Sequence, residues 1–449
     1  MKGKIIFTSQ DHDKVEDRIF YGLKVPGAKE IHVSEEQVNG YMRFGVAITQ
    51  SSCYELSLIE PERRHELLKS IYSKEGLGLS IGRLCIGSSD YSPEIYTYDD
   101  VEYDVELKHF SVKRDLEYVI PIIKEIIEIN PDMYLFASPW TPPGWMKTAG
   151  YLYGGYMLDE YVDCYAEYII KFINAYAEHG IKISAITPQN EPNTPQYNQM
   201  AACVWHPRTE ANFIKSLRKK LDERNMDVEI WMHDHNFIDV HRVIWELDKC
   251  EGTREAVDAV AFHYYMGAIE ETLVLKEKYP ELPLHFTEAG PRLTENYDTD
   301  WCKWGLMAIK ALKCGYKTFT GWNLMLDELG GPNIGRYLGT CGGFVTRDNR
   351  NGELNFSGQY KAFGHIVPYL TKESKIYPVY HDGAFEFEMT RFPRCDYKVD
   401  GIVIDNGDGK LVAVLVNPGA TRIQTQIKLK GEYWYIEIQA NSLSTVIVE

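Results

Sequence analysis

The sequence predicts an α/β fold, a (β/α)8 TIM barrel with a side β-sandwich domain formed by the C-terminal region plus the N-terminal segment. Three observations carry that expectation. The middle of the chain alternates short apolar runs with longer amphipathic ones, as βα units do. Eight such repeats fill roughly 320 residues, the span of a barrel with loop insertions. After about Leu370 the pattern turns to β alone. The expected division is residues 1–42 for the first part of the β-sandwich, 43–370 for the barrel and 371–449 for the rest of the sandwich.

In order, the barrel strands are read at Phe44–Thr49, Leu79–Gly87, Met133–Trp140, Ile183–Gln189, Glu229–Asp234, Ala259–Tyr265, Leu282–Glu288 and Thr318–Leu324. Helices are expected over Pro61–Lys74, Val112–Ile129, Leu158–Glu178, Thr209–Arg224, Ala268–Lys278 and Thr299–Lys313. The first of these opens on proline, which suits a helix start, and Leu67, Leu68 and Ile71 follow at helical spacing. Short strands at Ile5–Phe7 and Ile31–Val33 precede the barrel. Strands at Phe385–Phe392, Gly401–Ile404, Leu411–Asn417, Arg422–Leu429, Tyr433–Gln439 and Ser444–Val448 follow it, with Asn406-Gly407-Asp408-Gly409 marking a hairpin. The alternative is a doubly wound open sheet, but no strand is followed by a dinucleotide or phosphate glycine fingerprint.

With 449 residues, 44% of them hydrophobic, the chain has ample material for a large core. A formal net charge of −17 argues against nucleic acid or an anionic membrane surface as partner. No segment approaches the roughly 18 apolar residues of a membrane span. The first ten residues hold only a three-residue apolar run, so a cytoplasmic protein is expected, or a secreted one if the sequence has been trimmed. Nine cysteines without a CxxC pair suit reduced thiols, with Cys53, Cys85 and Cys250 packed in or beside apolar segments.

Active residues of TIM barrels sit at the C-terminal ends of the strands. The fourth candidate strand ends in Gln189-Asn190-Glu191-Pro192, and the seventh ends in Thr287-Glu288. Strands four and seven face one another across an eight-membered ring. Two carboxyls set across a pocket are what double-displacement glycoside hydrolysis requires, one protonating the leaving oxygen and one attacking the anomeric carbon. Taken singly, either glutamate reads as a solvated strand-end carboxylate; the pair at these two places reads as chemistry.

Other strand ends supply further groups. Trp140 opens the rigid Trp-Thr-Pro-Pro-Gly-Trp loop, and Trp322-Asn323 closes the eighth strand; aromatic faces stack on sugars, although a tryptophan can equally be core. Asp90 could accept bonds from two sugar hydroxyls or simply cap its loop. Arg83, inside an apolar strand, is costly to bury without a carboxylate and is expected to pair beneath Glu288 and keep it ionised. Glu191, as the proton donor, is expected to have a raised pKa. His263, with Tyr264 and Tyr265, is expected to hydrogen-bond at the pocket floor. A metal reading rests on His233 and His235, which would share one strand face, with His263 as third ligand. The tyrosine-rich 151–156 loop either lines outer subsites or covers the barrel top.

Taken in order along residues 40–370, these motifs resemble glycoside hydrolase family 30. The similar stretches are Glu75–Gly78 through Arg83, Ser89-Asp90-Tyr91-Ser92, Tyr96-Thr97-Tyr98, Ala137–Thr141, Trp145–Thr148, Ala175–His179, Asn190-Glu191-Pro192, His263-Tyr264-Tyr265, Gly321–Leu324, Gly330–Asn333 and Gly364-His365. The resemblance implies a retaining β-glycosidase with acid/base Glu191 and nucleophile Glu288. It implies that Asp90, Trp140, Asn190 and Trp322 bind the sugar, with Asn333 at the entrance, and that no cofactor is needed. Gly290 stands where the family's glucosylceramidases carry cysteine, and Tyr-Tyr follows His263 in place of Trp-Tyr. The expected substrates are therefore β-glucosides such as glucosylceramide, with β-xylosides or β-1,6-glucan as the alternatives within the family. A barrel that binds carbohydrate without catalysis is the alternative of another class.

Overall fold

The computed structural model describes residues 1–38, 40–195, 200–334, 340–381 and 399–449. Eight parallel strands close into a barrel: Arg43–Ile48, Ile81–Ile86, Tyr134–Pro139, Ala185–Ile186, Glu229–Asn236, Ala259–His263, Leu284–Glu288 and Tyr316–Gly321. Each falls on an expected run. The fourth is shorter than its apolar stretch, because Pro188 has no N–H for a ladder. The segment nevertheless stays bonded to the third strand, through Thr187 N to Ala137 O (3.0 Å) and Asn190 N to Pro139 O (2.8 Å). That half-ladder carries Asn190 and Glu191 out onto the barrel rim.

Layers of side chains fill the barrel, as closure of eight strands demands. One layer is Ile81, Phe136, Ala185, Trp231, Ala259 and Ala261, all buried. Trp231 stacks on His285 at 3.6 Å between ring centroids and on Tyr134 at 5.8 Å. Gly45 lies so close to the neighbouring strand that a Cβ there would meet the carbonyl oxygen of Ile81.

Helices Pro61–Tyr72, Val119–Ile129, Val162–Glu178, Pro207–Glu223 and Trp301–Lys313 follow the expected spans. Others were not foreseen, among them Gly358–Ile366, Gln50–Ser57 and Val240–Lys249. Gln50–Ser57 is short and polar, held by Thr49, whose hydroxyl accepts from the N–H of Ser52. Val240–Lys249 follows the fifth strand almost directly, with Val240, Val243 and Leu247 as its buried stripe. The helix expected over Ala268–Lys278 begins instead as a 3₁₀ turn and is α-helical only from Leu273. None of the described helices is long and apolar enough to cross a membrane.

Packing divides the chain into two units, Phe44–Thr294 with Thr320–Asn355, and Met1–Arg43 with Glu295–Phe319 and Phe356–Glu449. By packing, the C-terminal part of the second unit begins at Phe356, where the sequence division was drawn at 370. In the second unit nine strands hydrogen-bond in a complete ring, antiparallel except where Gln426–Ile427 runs parallel to Glu30–Ile31. The ring is the side β domain expected from the C-terminal region plus the N-terminal segment, and its strands close on themselves. Its inside is read from alternation: Trp434, Ile436 and Ile438 are buried, while Tyr433, Tyr435 and Glu437 are only partly covered. Ile5, Ile31, Val403, Leu415, Ile427 and Val446 complete that core. Helix Trp301–Lys313 packs on these strands, its Gly305 leaving room for Leu443. The expected strand Phe385–Phe392 lies outside the described residues.

Candidate active site

Two irregularities in the barrel decide where its polar groups point. The ladder between strands five and six slips between His233 and His235, and the ladder between six and seven slips between Phe286 and Glu288. His233 (φ 79°) and Asp234 (φ 57°) take the left-handed backbone region that side chains resist. A bulge of this kind re-aims side chains. It turns Asp234 into the site, the place that simple alternation gave to His233 and His235.

Asp234 is fully buried and gathers the site around itself. It accepts from Ser138 Oγ (2.8 Å), Thr187 Oγ1 (2.7 Å) and Arg83 Nη2 (2.8 Å) on one oxygen, and from Thr287 Oγ1 (2.7 Å) on the other, where His263 Nε2 also lies at 3.1 Å. Groups from strands two, three, four, six and seven thus converge on one carboxylate from strand five. The charge of Arg83 and the donors from His263 and Thr287 outweigh the cost of burial and hold Asp234 ionised, far below the ordinary aspartate range.

Arg83 is also fully buried, and its fork spreads over four acceptors. Nη1 donates to Glu288 Oε2, Nη2 donates to Asn190 Oδ1 (2.8 Å) as well as to Asp234, and Nε reaches Ser138 Oγ at 3.2 Å. Its guanidinium lies 4.8 Å from the ring of Trp140 and 5.5 Å from that of Trp322. Tyr265 Oη donates to the other oxygen of Glu288 at 2.8 Å. Glu288 is therefore held at both oxygens, with a cation below it.

Glu191 sits in left-handed backbone (φ 51°), its N–H bonded to Asp234 O at 3.1 Å. Its carboxylate meets His263 Nδ1 at 3.3 Å. Burial alone would raise the Glu191 pKa, but the hydrogen bond from His263 and the charges of His235, His263 and Arg83 prevail, and the carboxyl lies below its ordinary value. The raised pKa expected from the sequence is not found, because the hydrogen bond and charge of His263 outweigh burial. Burial disfavours the His263 cation, yet Glu288, Asp234 and Glu191 lift its pKa to about 9.

The remaining candidates form the wall. Trp140 and Trp322 stack at 5.2 Å, and the Tyr91 ring meets Trp322 edge-on at 5.8 Å. With Ala47, Cys85, Met200, Ala201, Ala202 and Leu326 they make one buried cluster. The Asn333 side chain lies at the Tyr91 hydroxyl. Asp90 is buried, and desolvation, then the charges of Glu288 and Glu191, push its carboxyl up to about 8.

Among the described residues, the group compact enough for a metal ion is Glu191, His263 and Glu288, with one ligand atom of each within 4.8 Å of the others. The histidine trio considered from the sequence does not converge, since His235 is turned to Thr194 Oγ1 (3.0 Å) and Asp239 (3.1 Å). A protonated His263 has no lone pair to offer, and Arg83 already balances Glu288, so the cluster suits two carboxylates more than a cation. Sequence reading missed the part played by Asp234, Ser138, Thr187 and Thr287. A run of small hydroxyl residues at successive strand ends was the available signal.

Residues 41–341 match the glycosyl hydrolase family 30 TIM-barrel domain. A Caenorhabditis elegans protein named as a glucosylceramidase (number 4) is 30% identical over 442 residues, spanning 90% of this chain and 80% of that one. The endo-1,6-β-D-glucanase of Neurospora crassa is 25% identical over 423 residues, spanning 90% and 84%. Among solved structures, the endo-β1,6-glucanase BT3312 superposes with a TM-score of 0.84 at 26% identity, over 99% of this chain and 98% of that one.

Proposed function

Because the chain belongs to glycosyl hydrolase family 30 and is a glycoside hydrolase, we propose that it is a retaining β-glucosidase-type enzyme with Glu288 as nucleophile and Glu191 as acid/base. The observation that carries this reading is the spacing of the two carboxylates, whose nearest oxygens lie within 4.8 Å. Retaining enzymes set their carboxyls about 5–5.5 Å apart, while inverting ones leave about 6.5–9.5 Å for a water molecule between them. Glu288 attacks the anomeric carbon as the bond to the leaving oxygen breaks, and that oxygen takes a proton from Glu191. Water then loses a proton to Glu191 and displaces Glu288, releasing the sugar with its β configuration.

The proton inventory supports these roles. At neutral pH the Glu191–His263 pair holds one proton, which the raised imidazole and the lowered carboxyl place on His263. A glycoside filling the cleft strips water from Glu191 and favours its neutral form, drawing that proton onto the carboxyl. Asn190, fixed by Arg83, binds the 2-hydroxyl; Asp90 and Asn333 take the hydroxyls farther out; Trp140 and Trp322 supply the stacking face. His263 and Tyr265 hold the two carboxylates in register with the sugar.

Relatives named glucosylceramidases and endo-1,6-β-glucanases have in common a glucosyl unit as the group transferred, which supports glucose as the glycone. The full-length likeness to BT3312 favours β-1,6-glucan as a second reading beside small β-glucosides and glucosylceramide. The test sets wild type beside Glu288→Gln against aryl β-glucoside, β-xyloside and β-fucoside, glucosylceramide and β-1,6-glucan. Turnover of glucosides by wild type alone, with β-glucose as the first product by NMR, is the expected result. Initial release of α-glucose would overturn retention, and turnover by Glu288→Gln would overturn the nucleophile.

A further inference from the structure

Behind the acid/base lies a buried charged network that the reaction itself does not use. Arg242, on the helix after the fifth strand, is about nine-tenths buried. Its Nη2 donates to Glu210 Oε2 (2.7 Å) and to the carbonyl of Trp205 (2.9 Å), and its Nε lies 2.8 Å from Glu246 Oε1. Its Nη1 donates to Asn193 Oδ1 at 2.6 Å. Glu210 and Glu246 are both buried. An arginine in such a place is expensive unless its position matters, and only a planar fork can address this many acceptors at once.

The partners of this fork belong to two segments that the active site needs in register. Asn193 lies two residues beyond Glu191, in a turn closed by Thr194 N donating to Glu191 O at 3.0 Å. That turn is further tied by His235 to Thr194 Oγ1 and by Trp205 N to Pro192 O (2.9 Å). The other partner, Glu210, accepts from the N–H of His233 through Oε1 at 2.9 Å. His233 is the first residue of the bulge that aims Asp234 into the barrel. One guanidinium therefore clamps the turn bearing Glu191 to the bulge bearing Asp234, which in turn holds Arg83 and His263.

We propose that Arg242, acting through Asn193 and Glu210, is the positioning residue of the acid/base, fixing the left-handed Glu191 backbone so that its carboxyl faces the leaving oxygen. This inference rests on the assignment of Glu191 given above. A residue that only supports the fold would lower turnover of every substrate together. A residue that aims the acid matters only when the leaving group needs a proton.

The experiment compares kcat/KM for 2,4-dinitrophenyl β-glucoside, whose leaving group needs no proton, with that for an alkyl β-glucoside, whose leaving group does. Asn193→Ala removes the turn's handle and leaves the Arg242–Glu210 pair intact. Arg242→Lys keeps the charge and loses the fork, and reads the same ratio if the first variant folds poorly. Both are expected to lose about tenfold or more on the alkyl glucoside, the scale of a small misplacement of a catalytic group, and about twofold or less on the dinitrophenyl glucoside. Glu191→Ala serves as the reference and should show the same selectivity in larger form. If Glu191→Ala depresses both substrates alike, the acid/base assignment falls and this inference falls with it. If Glu191→Ala is selective while the other two are unaffected or lose both activities in parallel, the positioning role alone is overturned.

Discussion

Replacing His263 by glutamine removes a cation from between three carboxylates and reads directly on stability. The imidazole is fully buried; desolvation pulls its pKa down, but Glu288, Asp234 and Glu191 lift it to about 9, against an ordinary value of 6.5. A group whose folded pKa is raised contributes stability that is complete below its unfolded pKa and disappears as the pH climbs through the folded one. For His263 that window runs from about 6.5 to about 9. A rise of this size corresponds to about 3 kcal/mol, or a melting shift of roughly 6 °C at about 2 °C per kcal/mol. The assay is thermal unfolding of wild type and His263→Gln in half-unit steps from pH 6 to pH 10. Subtracting the two curves cancels the titrating groups that His263 does not touch, and the carboxylates it does touch titrate mainly below this window. The wild-type advantage should be greatest near pH 6, shrink across the window and level off above pH 9. A difference that stays constant from pH 6.5 to 9 would show that His263 is neutral in the folded protein, and the proton inventory drawn for Glu191 would be wrong.

Asp234→Asn keeps the shape of the hub and removes its charge, leaving Arg83 under-neutralised and an amide N–H₂ facing hydroxyl donors. Losing one member of a buried ion pair costs about 3–5 kcal/mol, so the melting temperature should fall by several degrees and the alkyl-glucosidase activity should collapse; a fully active, equally stable variant would refute the hub. Asp90, held protonated up to about pH 8 by burial and then by Glu288 and Glu191, should bind sugar hydroxyls more tightly once ionised. KM of wild type is therefore expected to fall about fivefold as pH passes through 8, the gain of a charged over a neutral acceptor, whereas Asp90→Asn should show a flat KM; parallel profiles would remove Asp90 from the sugar site.

Much of the barrel was legible because its strands are apolar runs of the right length between amphipathic helices, and strand ends could be read for function without coordinates. Arg83 is the clearest case: an arginine amid Ile81, Leu84 and Ile86 has to find a carboxylate, and Glu288 and Asp234 are the ones it finds. What remained hidden followed from departures in periodicity. The His233-Asp234-His235 run reads as histidines inward by simple alternation, and nothing in it, neither glycine nor asparagine, announces left-handed backbone. The bulge reverses the reading and makes the aspartate the central group. Strand His12–Gly22 escaped notice because it is almost wholly exposed, with only Ile19 buried, so it carries no apolar alternation. Helix Gln50–Ser57 was equally silent, since its cap and most of its buried residues are polar. Arg242 could not be singled out at all, because a charge on an amphipathic helix is ordinarily a solvated one.

The closed ring of nine strands has a consequence for how the molecule is made. Gly3–Thr8 pairs along its full length with Leu443–Val448, and Lys2 and Glu449 exchange backbone hydrogen bonds. The strands that must meet are thus separated by nearly the whole length of the sequence, the most demanding kind of contact for a folding chain. At about 5–20 residues per second, a ribosome needs roughly half a minute to a minute and a half between delivering the first of these strands and the last. The hairpin of Gly3–Ser9 and His12–Gly22 spends that interval with both edges unpaired, because Phe20–Gly22 waits for Tyr433–Tyr435 as Gly3–Thr8 waits for Leu443–Val448, and such edges recruit other chains. The mostly charged, exposed residues along His12–Arg18, which looked merely uninformative in the sequence, are of the kind that blunts such an edge while it waits.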